Sequence, residues 1–406
     1  MNENFLLAGN DSPANRGCDA ITRGTGEILA HHFPGSKITD AHFRTGNDAI
    51  ATPFSPGSSV HVVQFPARWS YRWLIFELGM HACESLIPKV LYATMEEDIR
   101  RCTALLSVGG DNYSLDYGVP KRFVHMNRLA HNFGKPIVIW GASIGPFTTN
   151  PAFEKLIVSH LKNEVDLILV REKASRDYLG SLGISGNVER VGDPAFLLKA
   201  TPCPINRLGF ELPEHFITFS TGAMMAKYVT GGSGTRWALC CRETIIALTK
   251  KTGLPIVLVP HVEADHAFFQ TIINGGGSTG NIHLLNRQLT AAEMKWVIGK
   301  SELLVGSRMH ATIAAYSAGV PVLSLAYSIK AIGMNLEIYG HKDYLLYKDD
   351  ISTASVLDKA THILRTGRGV REETLRGAKR QEVLALRAGE ILKRYLLTCN
   401  KRDLSQ

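Results

Sequence analysis

The stretch 301–330, SELLVGSRMHATIAAYSAGVPVLSLAYSIK, decides how the chain is read. Leu303-Leu304-Val305 is a short apolar run closed by Gly306 and Ser307, the pattern of a buried parallel strand that ends in a loop. Met309, Ile313, Tyr316 and Ser317 then recur at helical spacing, and Gly319 with Pro321 stops the helix before a second apolar run at 322–326. Arg308 and His310 therefore stand between the carboxyl end of a strand and the amino end of a helix. Open α/β sheets bind ligands there, and free backbone N–H groups with the helix dipole favour anions. A lone loop arginine is usually a surface ion pair and a lone histidine usually structural. The two together at this position favour a site for a carboxylate or phosphate.

Working outward, 406 residues exceed one ordinary core and predict two domains. Apolar residues at 45% and charged residues at 20% are ordinary for a globular protein and exclude bulk disorder. A net charge of +8 favours anionic partners, but no lysine-arginine block with interleaved aromatics points to nucleic acid. The apolar run near the N-terminus is too short for a secretion signal, and no stretch approaches the roughly 18 apolar residues of a membrane span. Seven scattered cysteines without a CxxC pair fit a reducing cytoplasm, with Cys240 and Cys241 read as packing.

In chain order, 4–8 reads as a strand, followed by a polar turn with Asn10, Asn15 and Gly17 and a helix over 19–31. The glycines lack the GxGxxG spacing of a dinucleotide fingerprint. A strand at 60–65 and an amphipathic helix at 71–83 follow. Strand 103–108 runs into Gly109-Gly110-Asp111, where the glycines permit a sharp turn or close approach to a ligand, and Asp111 either faces that ligand or caps the next turn. Strand 137–140 and helix 151–164 repeat the grammar. Strand 166–170 delivers Arg171 to the same rim, as an anion ligand or as an ion pair with Glu172 or a nearby carboxylate; Asp193 faces the cleft or caps a turn. From 199 to 213 periodicity fails around Pro202, Pro204 and Pro213, which sets a boundary between a first lobe, 1–205, and a second, 206–370.

The second lobe opens with strand 216–220 and the glycine-containing loop 221–235, which lacks the GK[ST] of a P-loop and is expected to be a mobile lid. Helix 236–251, strand 255–259, helix 264–273, strand 282–285 and helix 290–299 lead to the opening stretch. His261, just after a strand and Pro260, is a second edge candidate without a companion cation. Helices to about 339, over 353–365 and over 371–397 finish the chain, the segment 371–406 packing back on the first lobe by analogy. Strand and helix thus alternate twice, predicting two Rossmann-like parallel-sheet lobes facing a cleft.

The set NRGCDA at 15–20, SVGGDNYSLDYG at 107–118, WGASIGPF at 140–147, VREKAS at 170–175, VGDPAF at 191–196, GSRMHA at 306–311 and YSIK at 327–330 resembles the polysaccharide pyruvyl transferase family. The resemblance implies an architecture similar to the glycosyltransferase B fold. It also implies transfer of a pyruvyl group from phosphoenolpyruvate to a sugar of a polysaccharide or its lipid-linked precursor, as a ketal with release of phosphate. On this likeness Arg308 and His310 match the phosphoenolpyruvate motif, with Met309 between them where some members have leucine, and Arg171 matches the family's other anion-binding arginine. Gly109, Gly110, Asn15, Asp193, His261 and Lys330 complete the expected substrate-binding set. His310 is the general acid or only a phosphate ligand, and Asp111, before Asp193, takes the acceptor proton.

No cofactor beyond phosphoenolpyruvate as co-substrate is expected, and no carboxylate cluster is set aside for a metal. A cytoplasmic placement follows, with the basic balance suited to an acceptor presented at the inner membrane face. Two rivals remain: a nucleotide-sugar glycosyltransferase, which would need an acidic ribose ligand such as Glu293 or Glu337, and a non-catalytic sugar- or anion-binding subunit of a polysaccharide assembly complex.

Overall fold

The structure, a computed structural model, describes residues 3–44, 58–64, 67–81, 86–115, 118–275 and 281–403. The chain forms two compact units. One holds the described residues up to Ser12, 21–194 and those from Val383 on; the other holds 13–20 and 195–382.

The first unit is a seven-stranded parallel sheet: β1 (Asn4–Asp11), β2 (Lys37–Arg44), β3 (Ser58–Gln64), β4 (Ala104–Val108), β5 (Ile137–Ala142), β6 (Leu167–Val170) and β7 (Val188–Arg190), in the order β3-β2-β1-β4-β5-β6-β7. The second is a six-stranded parallel sheet: β8 (Ile217–Ser220), β9 (Ile256–Leu258), β10 (Ile282–Leu284), β11 (Leu303–Gly306), β12 (Val322–Ala326) and β13 (Leu345–Tyr347), ordered β10-β9-β8-β11-β12-β13. Both obey the doubly wound rule, in which winding reverses beside the first strand and leaves a crevice at the carboxyl ends of its neighbours. These switch points lie between β1 and β4 and between β8 and β11. Parallel strands with both faces covered must be apolar throughout, and every residue of β4, β6, β8, β11 and β12 is buried.

Three strands escaped the sequence reading. β2, KITDAHFR, carries Asp40 and His42 into the interior, 3.6 Å apart, although their residue types argue against burial. β7 and β13 have only three residues each, too few for a periodic signal. The helix expected from residue 19 begins at Arg16, because Asn15 caps it: Asn15 Oδ1 accepts the Gly17 N–H at 3.0 Å. The helix expected over 71–83 spans Tyr71–His81, and its end at Cys83, like Phe65 of the expected 60–65 strand, lies outside the described residues.

The expected lid at 221–235 is structured. Ala223–Met225 and Ala226–Val229 are short helical turns, and Ser233 caps the helix Gly234–Thr252 by accepting from Arg236 N. Trp237, buried, pins the segment by donating from Nε1 to the Gly222 carbonyl at 3.1 Å. The chain changes units after Pro194 rather than at 205, because Ala195, Phe196, Leu198 and Cys203 are buried in the core of the second unit despite the surrounding prolines. The last helix, Arg368–Asp403, starts before residue 371 and runs unbroken through the change of unit at Val383.

Candidate functional site

Each sheet carries an arginine cluster at its carboxyl edge. In the first unit four neighbouring strands each deliver a polar residue to one place. Asp111 follows β4, Ser143 follows β5, Arg171 follows β6 and Asp193 follows β7. Arg171 Nη1 donates to Asp193 Oδ2 at 2.7 Å, Nη2 to Asp111 Oδ1 at 3.3 Å and Nε to Ser143 Oγ at 2.9 Å, with Glu172 Oε2 3.6 Å from Nε. Ser143 in turn donates to Glu172 Oε2 at 2.9 Å. Burial works against the guanidinium charge, but Asp193, Asp111 and Glu172 outweigh it and raise its pKa above the ordinary arginine value.

Of the two readings of Arg171, the structure displays the ion pair with nearby carboxylates. Its side chain is 2% exposed, with Nη1 and Nη2 on carboxylates and Nε on the Ser143 hydroxyl, so it acts as the counter-ion of the cluster. Asp193 is fully buried against it. The glycines also serve this packing. A Cβ on Gly110 would come 2.6 Å from Arg171 Nη1, and one on Gly109 would collide with the Asn112 amide, which clasps the Gly9 and Val108 carbonyls at 2.8 and 2.9 Å. Asp111 is the one acid of the cluster with a partly exposed carboxylate.

The second unit is built differently. β8 and β11 meet at the switch point, where Ser307 N donates to the Ser220 carbonyl and the hydroxyls of Thr221 and Ser307 lie 2.9 Å apart. Arg308 follows as N-cap of the helix Met309–Ser317 in extended backbone. That helix has no side-chain cap and no acidic residue in its first turn, whereas Thr290, Ser328 and Ser352 cap theirs. Its amino end thus has the positive end of the helix dipole with no side chain of opposite charge in the first turn.

Arg308 Nη2 is gripped by Asp265 Oδ1, while Asp265 Oδ2 accepts from His261 N at 3.1 Å and Val262 N at 3.3 Å. Gly222 makes room for the pair, since a Cβ there would strike both side chains. Arg308 Nε is buried without a hydrogen-bond partner among the described residues.

His310 lies in the first turn of the same helix, its imidazole packed on the Gly17 backbone so closely that a Cβ there would overlap Nδ1. A small pocket brings His310 together with His261, Arg16 and Lys295, amid Ala20, Met294 and Ile298. His261 is buried. Desolvation, with His310, Arg308 and Arg16 nearby, pulls its imidazole down to about 3, so it stands neutral at neutral pH. Lys295 donates to the Leu198 carbonyl at 2.5 Å, and burial lowers its ammonium to about 8.

Of the predicted residues, Arg308, His310 and His261 thus converge in the second unit. Lys330 lies in the first turn of the helix Ile329–Tyr339, after β12, and is half-buried. The Met309 side chain is partly buried and packs against the core, and Asn15 Oδ1 accepts the Gly17 N–H at the start of its helix. Arg16, Asp265, Gly222 and Lys295 were missed. Arg16 sits inside the NRGCDA motif and was legible, whereas Asp265 lies 43 positions from its partner and gave only a helix-start signal. The acids considered for ribose binding are engaged: Glu293 caps its own helix and pairs with Arg207 at 2.5 Å, and Glu337 accepts from Gln381 at 3.1 Å.

Comparison with known proteins adds three findings. A family model described as polysaccharide pyruvyl transferase matches residues 15–329. The amylovoran biosynthesis protein AmsJ of Erwinia amylovora is 20% identical, the alignment covering 94% of this chain and 96% of that protein. Among solved structures, HepE of Anabaena in complex with UDP and glucose superposes with a TM-score of 0.60 at 11% identity, over 97% of this chain and all of that one. UDP-GlcNAc 2-epimerase of Neisseria meningitidis bound to UDP-GlcNAc gives 0.59 at 13% identity, again over 97% and 100%. At these identities the structural likeness speaks to fold alone, that of glycosyltransferase B enzymes and related epimerases.

Proposed function

Because the chain belongs to the polysaccharide pyruvyl transferase family, a family of transferases that modify polysaccharides, we propose that it transfers a pyruvyl group from phosphoenolpyruvate to two hydroxyls of an acceptor sugar, releasing phosphate. The observation that carries this reading is the uncapped amino end of the helix Met309–Ser317, flanked by Arg308 and His310. A donor with a carboxylate and a phosphate needs a forked cation and an array of N–H groups, and this corner of the second unit supplies both. Asp265, buried and doubly bonded to backbone, fixes Arg308 so that the guanidinium is oriented before the donor arrives.

The chemistry follows from the donor. His310 protonates the methylene carbon of phosphoenolpyruvate, which leaves a cation on the phosphate-bearing carbon. One acceptor hydroxyl adds to that carbon and gives up its proton; the carbon–oxygen bond to phosphate breaks, and the second hydroxyl adds to close the ketal. His310, deprotonated by the first step, can take one hydroxyl proton back, and neutral His261 beside it keeps a second positive charge out of the pocket. Asp111 is the proposed acceptor of a hydroxyl proton, being the one carboxylate of the first unit's cluster that is partly exposed. Lys330 is assigned to substrate anions, and no cofactor or metal enters any of these steps. A lipid-linked precursor of the polysaccharide suits the acceptor role as well as the finished polymer.

The test is phosphate release from phosphoenolpyruvate with candidate acceptor glycans. His310→Ala is expected to lower turnover by about 10²–10⁴-fold, the range for general acid catalysis, while leaving donor binding largely intact. Hexosyl transfer from a nucleotide sugar, with no phosphate released from phosphoenolpyruvate, would instead establish the glycosyltransferase alternative that the shared fold accommodates. Ligand binding with no turnover of either donor would point to a sugar-binding subunit.

A further inference from the structure

The helix Tyr71–His81 has two unlike faces. On one, Phe76 packs against the core of the first unit, and Gly79 lies so close to Ile87 that a Cβ would come 2.9 Å from Ile87 Cγ1. On the other, Tyr71, Leu74 and Leu78 follow one another at helical spacing and are 77%, 55% and 53% exposed. Trp69, just before the helix, is 72% exposed and has φ +67°, the one non-glycine in the left-handed region among the described residues. An indole held outward by a backbone conformation that costs free energy calls for a reason.

The charge on this stretch is basic. Arg68 stands 5.7 Å over the Trp69 ring, and Arg72 donates to the Val90 carbonyl at 2.6 Å from the flank of the helix. Glu77, the one acid in 67–81, is half-buried. Large apolar side chains contiguous on a surface mark an interaction site. Tryptophan and tyrosine beside leucine, rimmed by arginine, is the composition of a bilayer interface, where aromatic rings sit at the headgroup level and cations meet anionic lipid. The net charge of +8 acts in the same direction.

We propose that Trp69, Tyr71, Leu74 and Leu78, with Arg68, form a docking surface for an anionic phospholipid bilayer, on which the first unit rests by this helix. The proposal is independent of which donor the second unit uses. It goes beyond the pyruvyl-transfer reading by stating where the protein meets its acceptor's surroundings.

The experiment is co-sedimentation of the whole protein with vesicles of phosphatidylcholine alone and of phosphatidylcholine mixed with phosphatidylglycerol. The wild type is expected to bind the mixed vesicles about ten-fold or more tightly than the neutral ones, with added salt weakening the difference. The triple variant Trp69→Ser, Leu74→Ser, Leu78→Ser, with an unchanged melting midpoint, is expected to lose that binding by about ten-fold or more. Arg68→Glu, a change at an exposed charge that leaves the apolar side chains in place, is expected to abolish the preference for anionic vesicles. The proposal is overturned by a wild type that binds neither vesicle, or by variants that bind as the wild type does. It is equally overturned by a wild-type dimer that the triple variant dissolves without any vesicle binding, since the face would then be a contact between copies of this chain.

Discussion

Arg171 and Arg308 are each delivered by a parallel strand to the carboxyl edge of a doubly wound sheet, and they end in opposite situations. Arg308 stands at its sheet's switch point and Arg171 two strands beyond that of its own. Three carboxylates surround Arg171, and its side chain is 2% exposed. Arg308 has one carboxylate, a side chain 22% exposed, an uncapped helix amino end and two histidines for company. Topology therefore makes an arginine a candidate ligand, and the count of opposing charges decides whether it has capacity left for one. On that criterion the second unit's arginine is the one proposed to hold an anion, while the first unit's holds its own cluster together.

The largest effect that could break this contrast is on stability. Arg171→Met leaves Asp193 buried without its cation and is expected to cost about 3–5 kcal/mol in urea unfolding, while Arg308→Ala costs less than about 2 kcal/mol because Asp265 keeps two backbone donors. Equal costs would erase the distinction between a structural and a functional arginine.

Next in size is the acid response of the second unit. His261 has its folded-state pKa lowered from 6.5 to about 3, so below 6.5 the unfolded chain takes up a proton that the native state refuses. Stability is fully present above 6.5 and declines as pH falls toward 3, by up to about 2 kcal/mol between pH 6.5 and about 5. His261→Gln should flatten that slope in melts recorded across the range; an unchanged slope would show that the acid sensitivity lies elsewhere.

Lys295 acts at the other end of the scale with a slope of the same sign. Its ammonium is lowered to about 8, so between about 8 and 10.5 the native state has already released the proton that the unfolded chain keeps, and stability rises with pH. Lys295→Met should remove this rise in alkaline melts. The smallest expected effect on stability, and a sharp one on activity, is Gly17→Ala. The new methyl displaces the His310 ring, and a shift of about 1 Å in a reacting group can cost roughly 10²-fold in turnover. Unimpaired turnover would free His310 from its role as acid.

Much of this was legible in the sequence. Buried parallel strands are continuous apolar runs, so β4, β5, β6, β8, β11 and β12 could be read directly, and with them the rim positions of Arg171, Arg308 and His310. What could not be read was pairing across distance. Nothing near Arg171 in sequence announces that Asp111 and Asp193 will converge on it, and nothing near Arg308 announces Asp265. For the same reason Gly109 and Gly110, which read as openings for a ligand, turned out to make space for Asn112 and Arg171. The 221–235 segment misled through its glycines; Trp237, a residue beyond it, supplies the anchor. β2 was hidden because Asp40 and His42, buried 3.6 Å from each other, interrupt the apolar pattern.

The most direct measurement is equilibrium binding of phosphoenolpyruvate by calorimetry to the wild type and to Arg308→Ala, with melting curves alongside. Saturating donor, at about a hundred times its dissociation constant, should stabilise the wild type by about 2.7 kcal/mol. Arg308→Ala should remain folded and bind at least about ten-fold more weakly, the loss expected for a charge-assisted hydrogen bond. Wild-type affinity in Arg308→Ala, or stabilisation by UDP-sugars and not by phosphoenolpyruvate, would contradict the assignment of the donor anion to the second unit's arginine.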